Sequence, residues 1–198
     1  MRGKSMLASH VSIENQVTVR NLMSAFEGES NANAKYSEFA RKADADGLHG
    51  AASLFRAAAR AEQIHANNHA RAIRQLGGEP NAAFRHIEVK STLENLKAAL
   101  SGEQHEIDSM YPEFLKEAEA CNNTAAIRTL DWALEAEKTH ARLYNEAIAL
   151  VEGGETHSWV GSARDFYVCA VCGYTSETRE GERCPVCNIL WEKFEVVR

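Results

Sequence analysis

The chain has 198 residues, 44% hydrophobic and 25% charged, enough for one core of ordinary size plus a small appendage and too apolar for a disordered segment. Its 28 acidic against 22 basic side chains give a formal charge of −6, which supports neither a nucleic-acid surface nor a polybasic membrane patch. The longest apolar runs, such as Ala147 to Val151, are far short of the roughly 20 residues that a spanning helix needs.

The leading arm, from Met1 to Glu14, has a pattern that specifies no element. Arg2 and Lys4 are followed by only Met6-Leu7-Ala8, so the apolar region of a secretory signal is missing and a cytoplasmic protein is expected. From residue 15 to 152 the chain is rich in Ala, Glu, Leu, Lys and Arg, the profile of long helices, within a first domain expected over 15–155. Turn and capping signals at Asp44 to Gly47, Gly77 to Pro80 and Cys121 to Thr124 divide it into four. Apolar residues alternately three and four apart give each helix a seam. The first runs Val19, Leu22, Phe26, Glu29, Asn33, Tyr36, Ala40, and the second Leu48, Ala52, Phe55, Ala59, Glu62, Ala66, His69, Ile73, Leu76. The third runs Leu93, Leu96, Leu100, Glu103, Ile107, Met110, Phe114, and the fourth Ile127, Leu130, Leu134, Glu137, Ala141, Tyr144, Ile148, Val151.

Each seam is apolar on both sides of one glutamate, so four carboxylates point into the bundle in one layer. They repel one another by several kcal/mol unless something positive sits among them, and a metal is the expected partner. Three residues beyond these glutamates, on the same face, stand Ala32, His65, Glu106 and His140. Glu-x-x-His therefore occurs twice, as Glu62 to His65 and Glu137 to His140, and Glu103-x-x-Glu106 once. The spacing repeats, because the interval from Glu29 to Glu62 is nearly that from Glu103 to Glu137, as in two packed helical hairpins. This is the di-metal carboxylate arrangement of ferritin-like bundles. Hard anionic oxygens and about one imidazole per metal suit iron. Glu62 and Glu137, each beside a histidine, are the expected bridges; Glu29 and Glu103 are terminal, and Glu106 and His65 compete for one ion. His69 is expected either to pair with His65 at a metal or to sit satisfied in the core. Tyr36 and Tyr111 are placed to reach the metal layer.

Residues 156–164, after Gly153-Gly154, read as a linker, and residues 165–198 as a second, smaller domain. Four of the five cysteines lie there: Cys169-x-x-Cys172-Gly-Tyr174, nine residues, then Cys184-Pro-x-Cys187. Two such knuckles place four thiolates around one ion, zinc or iron.

Taken together, Phe26-Glu-Gly-Glu29-Ser, Glu62-Gln-Ile-His65, Gly102-Glu103-Gln-His-Glu106, Met110-Tyr111-Pro112, Glu137-Lys-Thr-His140 and the two knuckles resemble rubrerythrin over the whole chain after about residue 14. The resemblance implies a mainly α protein, a ferritin-like four-helix bundle with one long crossover, joined to a small β-rich rubredoxin-like metal domain. It implies Glu29, Glu62, Glu103, Glu106, Glu137 and His140 as ligands of two irons, with His65 replacing Glu106 on one iron upon reduction. Tyr36 and Tyr111 match tyrosines beside those ligands, and Cys169, Cys172, Cys184 and Cys187 match the ligands of a further iron. Asn188 departs from the pattern, since longer rubredoxins usually carry glycine after the last cysteine.

The implied activity is reduction of hydrogen peroxide to water, in defence against oxidative stress, with electrons arriving through the four-cysteine iron from an external reductase or carrier. The alternative is a ferroxidase or iron-handling protein whose tail is a structural zinc ribbon. A bundle helix of about 25 to 30 residues spans roughly 40 Å, which is expected to hold the two metal groups of one chain apart. A head-to-tail homodimer, as the family forms, is expected to bring one chain's cysteine domain to the other's bundle.

Overall fold

A computed structural model of the chain describes residues 11–154 and 161–198. Most of the leading arm and the linker residues 156–160 lie outside the described residues. Helix α1 is Gln16–Ala45 and α2 is His49–Gln75, joined by a tight turn in which Gly47 takes φ 75°. After residues 76–91, an extended crossover without helix, come α3 (Thr92–His105), a π-helical turn (Glu106–Met110) and α4 (Tyr111–Ala120), which together form the third rod. The fourth is α5, Thr124–Glu152. Side chains close the loose helix starts: Ser91 and Glu94 form a reciprocal capping box on α3, and the Asn123 side chain accepts from Ala126 N on α5. The protein is thus a ferritin-like bundle with one long crossover. Among the described residues no helix is long and apolar enough to cross a membrane.

The core is split in two. Tyr36, Phe39, Phe55 and Tyr144 pack with tilted and edge-on rings at one end. Leu22, Ile73, Tyr111 and Leu130 fill the other. The four seam glutamates lie buried between these apolar clusters.

The third rod departs from an uninterrupted seam. Beyond Glu103, Ile107, Met110 and Phe114 are only half-buried, whereas Tyr111 and Ala118 are fully buried. The π-helical turn inserts one residue, so every position after it advances by one. Its cause is local: Pro112 has no N–H and cannot close the α-helical bond to the Asp108 carbonyl. Tyr36, seven residues after Glu29, and Tyr111, eight after Glu103, consequently hold matching places on α1 and on the third rod.

The C-terminal unit is a three-stranded antiparallel sheet of order β2-β1-β3, from β1 (Phe166–Cys169), β2 (Thr175–Ser176) and β3 (Phe194–Val197). Asn188 adopts φ 60°, a left-handed conformation that asparagine tolerates, and its N–H donates to the Cys184 carbonyl at 3.0 Å. The departure from glycine therefore leaves the knuckle turn intact. Rather than extending past the bundle, the unit doubles back along α2. Arg164 N donates to Ser53 Oγ at 3.1 Å, Arg60 pairs with Glu195 at 2.6 Å, and Asn68 Nδ2 donates to the Val171 carbonyl at 2.8 Å.

Candidate metal centre

Two overlapping groups form at the middle of the bundle. Glu29, Glu62, His65 and Glu137 offer ligand atoms within 4.8 Å of one another, as do Glu62, Glu103, Glu137 and His140. Glu62 and Glu137 belong to both, the arrangement of two ions sharing two bridging carboxylates. Glu106 belongs to neither. It is half-buried and lines a cavity of about 350 Å³ together with Gly28, Lys35, Tyr36, His86 and Gly102.

The donors fit a cation. Among the described residues, Glu29 Oε2, Glu62 Oε1 and Glu103 Oε2 are buried without a hydrogen-bond partner. His65 Nδ1 lies 2.9 Å from both Glu62 Oε2 and Glu137 Oε1, yet one nitrogen cannot donate to both. Burial, and after it the neighbouring carboxylates, raises Glu29, Glu103 and Glu106 well above the usual carboxylate range. Glu137 is pulled below that range despite burial, because His65 and His140 flank it. His140 is pushed up to about 9 by Glu137 and Glu62 against its own desolvation. The layer, in short, carries more negative charge than its two imidazoles can balance, and divalent ions among oxygens and nitrogens relieve that excess.

Both histidines are oriented by the cysteine unit. His65 Nε2 is 3.0 Å from the Cys172 carbonyl, which can only accept, so Nε2 carries the proton and Nδ1 is free to ligate. Thr175 Oγ1 donates to the Gly173 carbonyl at 3.0 Å and therefore accepts from His140 Nε2 at 3.1 Å, which frees Nδ1 of His140 in the same way. The knuckle glycine allows this approach. Gly173 has φ 83°, and a Cβ there would stand 2.2 Å from His65 Nε2.

Behind the terminal glutamates stand the tyrosines. Tyr36 donates to Glu103 Oε1 at 2.5 Å, and Tyr111 donates to Glu29 Oε1. Burial and the adjoining carboxylates raise both phenols well above their ordinary value, so they remain donors. His69 does not turn to the metal layer with His65. It bonds Tyr111 and Thr129 instead, and burial holds it down to about 3, a neutral imidazole.

The four remaining sulfurs cluster. Cys169, Cys172, Cys184 and Cys187 have their Sγ atoms within 4.8 Å of one another, with Cys169 to Cys187 at 3.6 Å and Cys172 to Cys184 at 3.5 Å. An S–S bond is about 2.0 Å. The observed spacing instead matches the edge of a sulfur tetrahedron with metal–sulfur bonds of about 2.3 Å. Cys121 lies apart, exposed, with its Sγ 3.3 Å from the Glu14 carbonyl.

One expectation is overturned. The two metal groups of a single chain are not at opposite ends of the bundle, since the Cys172 carbonyl and His65 are hydrogen-bonded within the chain. The tail does not continue past the end of α5; from Arg164 to Cys172 it runs back along the length of α2 from Ser53 to His65. Distance alone thus supplies no need for a partner subunit. Thr175, Asn68 and Thr129 carried no signal in sequence, because what they touch is remote in the chain, and Gly173 was legible only as part of the knuckle.

Comparison with known proteins agrees with this geometry. The rubrerythrin family model matches residues 20–148. The chain is 34% identical over 186 residues to rubrerythrin-2 of Clostridium acetobutylicum, covering 93% of this chain and 99% of that one. It is 31% identical over 173 residues to nigerythrin of Nitratidesulfovibrio vulgaris, covering 86% and 81%. Among solved structures, fully reduced, all-ferrous nigerythrin superposes with a TM-score of 0.80 at 30% identity, over 98% of this chain and 92% of that one. A bacterioferritin from Desulfovibrio desulfuricans shares the fold at a TM-score of 0.66 and 20% identity, covering 76% of this chain and 90% of that one.

Proposed function

The chain belongs to the rubrerythrin family, whose members are di-iron oxidoreductases linked to oxidative stress, and from that premise we propose that it reduces hydrogen peroxide to water in the cytoplasm. In this reading residues 15–155 are the di-iron unit and residues 165–198 the electron-accepting unit, joined by residues 156–164 and preceded by the arm from Met1 to Glu14.

Glu62 and Glu137, common to both groups, would hold both irons, with Glu29 and His65 completing one position and Glu103 and His140 the other. Cys169, Cys172, Cys184 and Cys187 would hold a third iron. When bound, the iron pair supplies the two electrons of H2O2 + 2e− + 2H+ → 2H2O, and the cysteine-held iron replenishes them from an external reductase or carrier. Tyr36 and Tyr111 keep the terminal carboxylates oriented by donating to them. Glu106, outside both groups, would be the carboxylate available in place of His65 for a harder and more charged ion, which prefers an anionic oxygen. The cavity of about 350 Å³ that Glu106 lines has room for a molecule as small as peroxide.

The observation that carries the reading is the bond from His65 Nε2 to the Cys172 carbonyl. It links a ligand of the bundle to a ligand of the thiolate group through one hydrogen bond. A zinc ribbon used only for docking, beside a ferroxidase bundle, needs no such link. The test is optical. The iron-loaded full chain should be red from thiolate-to-iron charge transfer, should bleach with a reductant and should regain its colour on adding peroxide. A colourless, zinc-loaded tail with full ferrous-iron oxidation would instead favour the ferroxidase.

A further inference from the structure

His69 is a buried imidazole that the proposed chemistry does not use, and it belongs to a chain of hydrogen bonds whose direction is set from the Glu29 end. Glu29, as an ionised ligand, can only accept, so the Tyr111 hydroxyl donates to it. The Tyr111 oxygen then accepts from His69 Nε2, 3.2 Å away. With the proton on Nε2, Nδ1 faces the Thr129 hydroxyl at 3.0 Å, a group able to donate to it. Thr129 lies at the edge of a surface cavity of about 300 Å³ beside Arg128 and Trp132.

The opposite side of the centre has no such chain. Aligned on their Glu-x-x-His motifs, α5 repeats α2 position for position: Glu137 matches Glu62, His140 matches His65, Tyr144 matches His69, and Thr129 matches Leu54. There Tyr36 donates to Glu103, but among the described residues the hydroxyl of Tyr144 behind it has no hydrogen-bond partner and Leu54 offers none. The asymmetry falls on the side of His65.

We propose that Thr129 and His69 are positioning residues that lock the Tyr111 hydroxyl as a donor to Glu29, so that Glu29 stays fixed while His65 and Glu106 exchange at the same metal position. This rests on the exchange in the proposed function. The lock works through tautomer choice. Without the Thr129 proton, His69 can carry its proton on Nδ1, and its bare Nε2 then competes with Glu29 for the Tyr111 hydroxyl.

The test compares Thr129→Val, Thr129→Ser and, as the control on the other side, Tyr144→Phe. In zinc-loaded full-length protein labelled with 15N-histidine, His69 should appear as the Nε2–H tautomer in the wild type, in Thr129→Ser and in Tyr144→Phe, and should shift toward Nδ1–H in Thr129→Val. Titrating Co2+ into the metal-free chain should show one of the two bundle positions weakened about tenfold in Thr129→Val alone, the usual range for losing an outer hydrogen bond to a ligand. The same tautomer and the same two affinities in Thr129→Val would overturn the proposal. A wild-type protein that binds Co2+ as described but never reduces peroxide would overturn the proposed function and leave the lock standing.

Discussion

Replacing Gly173 by alanine tests the contact between the two units at its tightest point. The new Cβ lands 2.2 Å from His65 Nε2 and 2.7 Å from His65 Cδ2, where carbon ordinarily approaches to about 3.5 Å. His65 cannot retreat, because its Nδ1 is already held 2.9 Å from Glu62 and from Glu137. The knuckle must therefore withdraw by about 1.3 Å, the difference between those contacts, and a bond now at 3.0 Å opens past the limit of about 3.6 Å. The lost bond, which strands a buried carbonyl and a buried N–H, costs about 2 kcal/mol. That loss weakens docking by about 2 kcal/mol, roughly thirtyfold in the docking equilibrium. Left-handed φ on alanine costs about 1 kcal/mol more, but it falls on the knuckle itself whether docked or not. Gly28→Ala, with nothing within 4 Å of its added Cβ, is the matched control and should lose no stability. The assay is stopped-flow reoxidation of the thiolate iron by peroxide, with denaturant unfolding alongside. If Gly173→Ala reoxidised as fast as wild type and unfolded at the same denaturant concentration, the imidazole and the knuckle could not be in contact as described.

Three further outcomes follow from the same geometry. Glu62→Ala removes a bridge common to both groups and should abolish tight binding of the iron pair, whereas Lys138→Ala, on an exposed side chain, should not; equal iron content in the two variants would reject the bridging role. Cys169→Ser should remove the red absorption and electron entry from a donor while a chemically reduced bundle still consumes one peroxide, and undiminished turnover with the donor would mean that the tail is structural. His69, held at about 3 when folded against an ordinary value near 6.5, binds fewer protons folded than unfolded between those limits. Its contribution is therefore complete above about pH 6.5 and is lost as pH falls toward 3, at up to about 1.4 kcal/mol per pH unit. The stability of the metal-free wild type should consequently fall more steeply below pH 6.5 than that of His69→Leu, and parallel curves would show a charged His69.

The carboxylate layer was legible because a seam with one glutamate among apolar residues repeats four times, and Glu62, Glu103 and Glu137 could not all be buried for any ordinary reason. The shift at Tyr111 was not legible from periodicity, which cannot represent one inserted residue; Pro112, four positions after Asp108, was the available signal. Neither could the sequence place the cysteine unit on α2. That placement depends on Arg60 meeting Glu195, Asn68 meeting Val171 and His65 meeting Cys172, pairs far apart in the chain that carry no local pattern.

The arrangement also explains why the cysteine unit sits where it does. A bundle histidine can present either nitrogen to a metal, and only a partner on the far nitrogen decides which. In this chain both partners, the Cys172 carbonyl and the Thr175 hydroxyl, come from the same knuckle, one residue on either side of the Gly173–Tyr174 pair. Undocking would therefore do more than lengthen the path for electrons: it would release the tautomers of His65 and His140 together and loosen both metal positions at once. Docking and metal affinity are thereby coupled, and Thr175→Val separates the two effects. It removes the acceptor at His140 while leaving the His65 to Cys172 bond in place. Co2+ affinity should drop at one position only, by about tenfold, with reoxidation of the thiolate iron unchanged; loss at both positions would mean that Thr175 acts by holding the units together rather than by fixing His140.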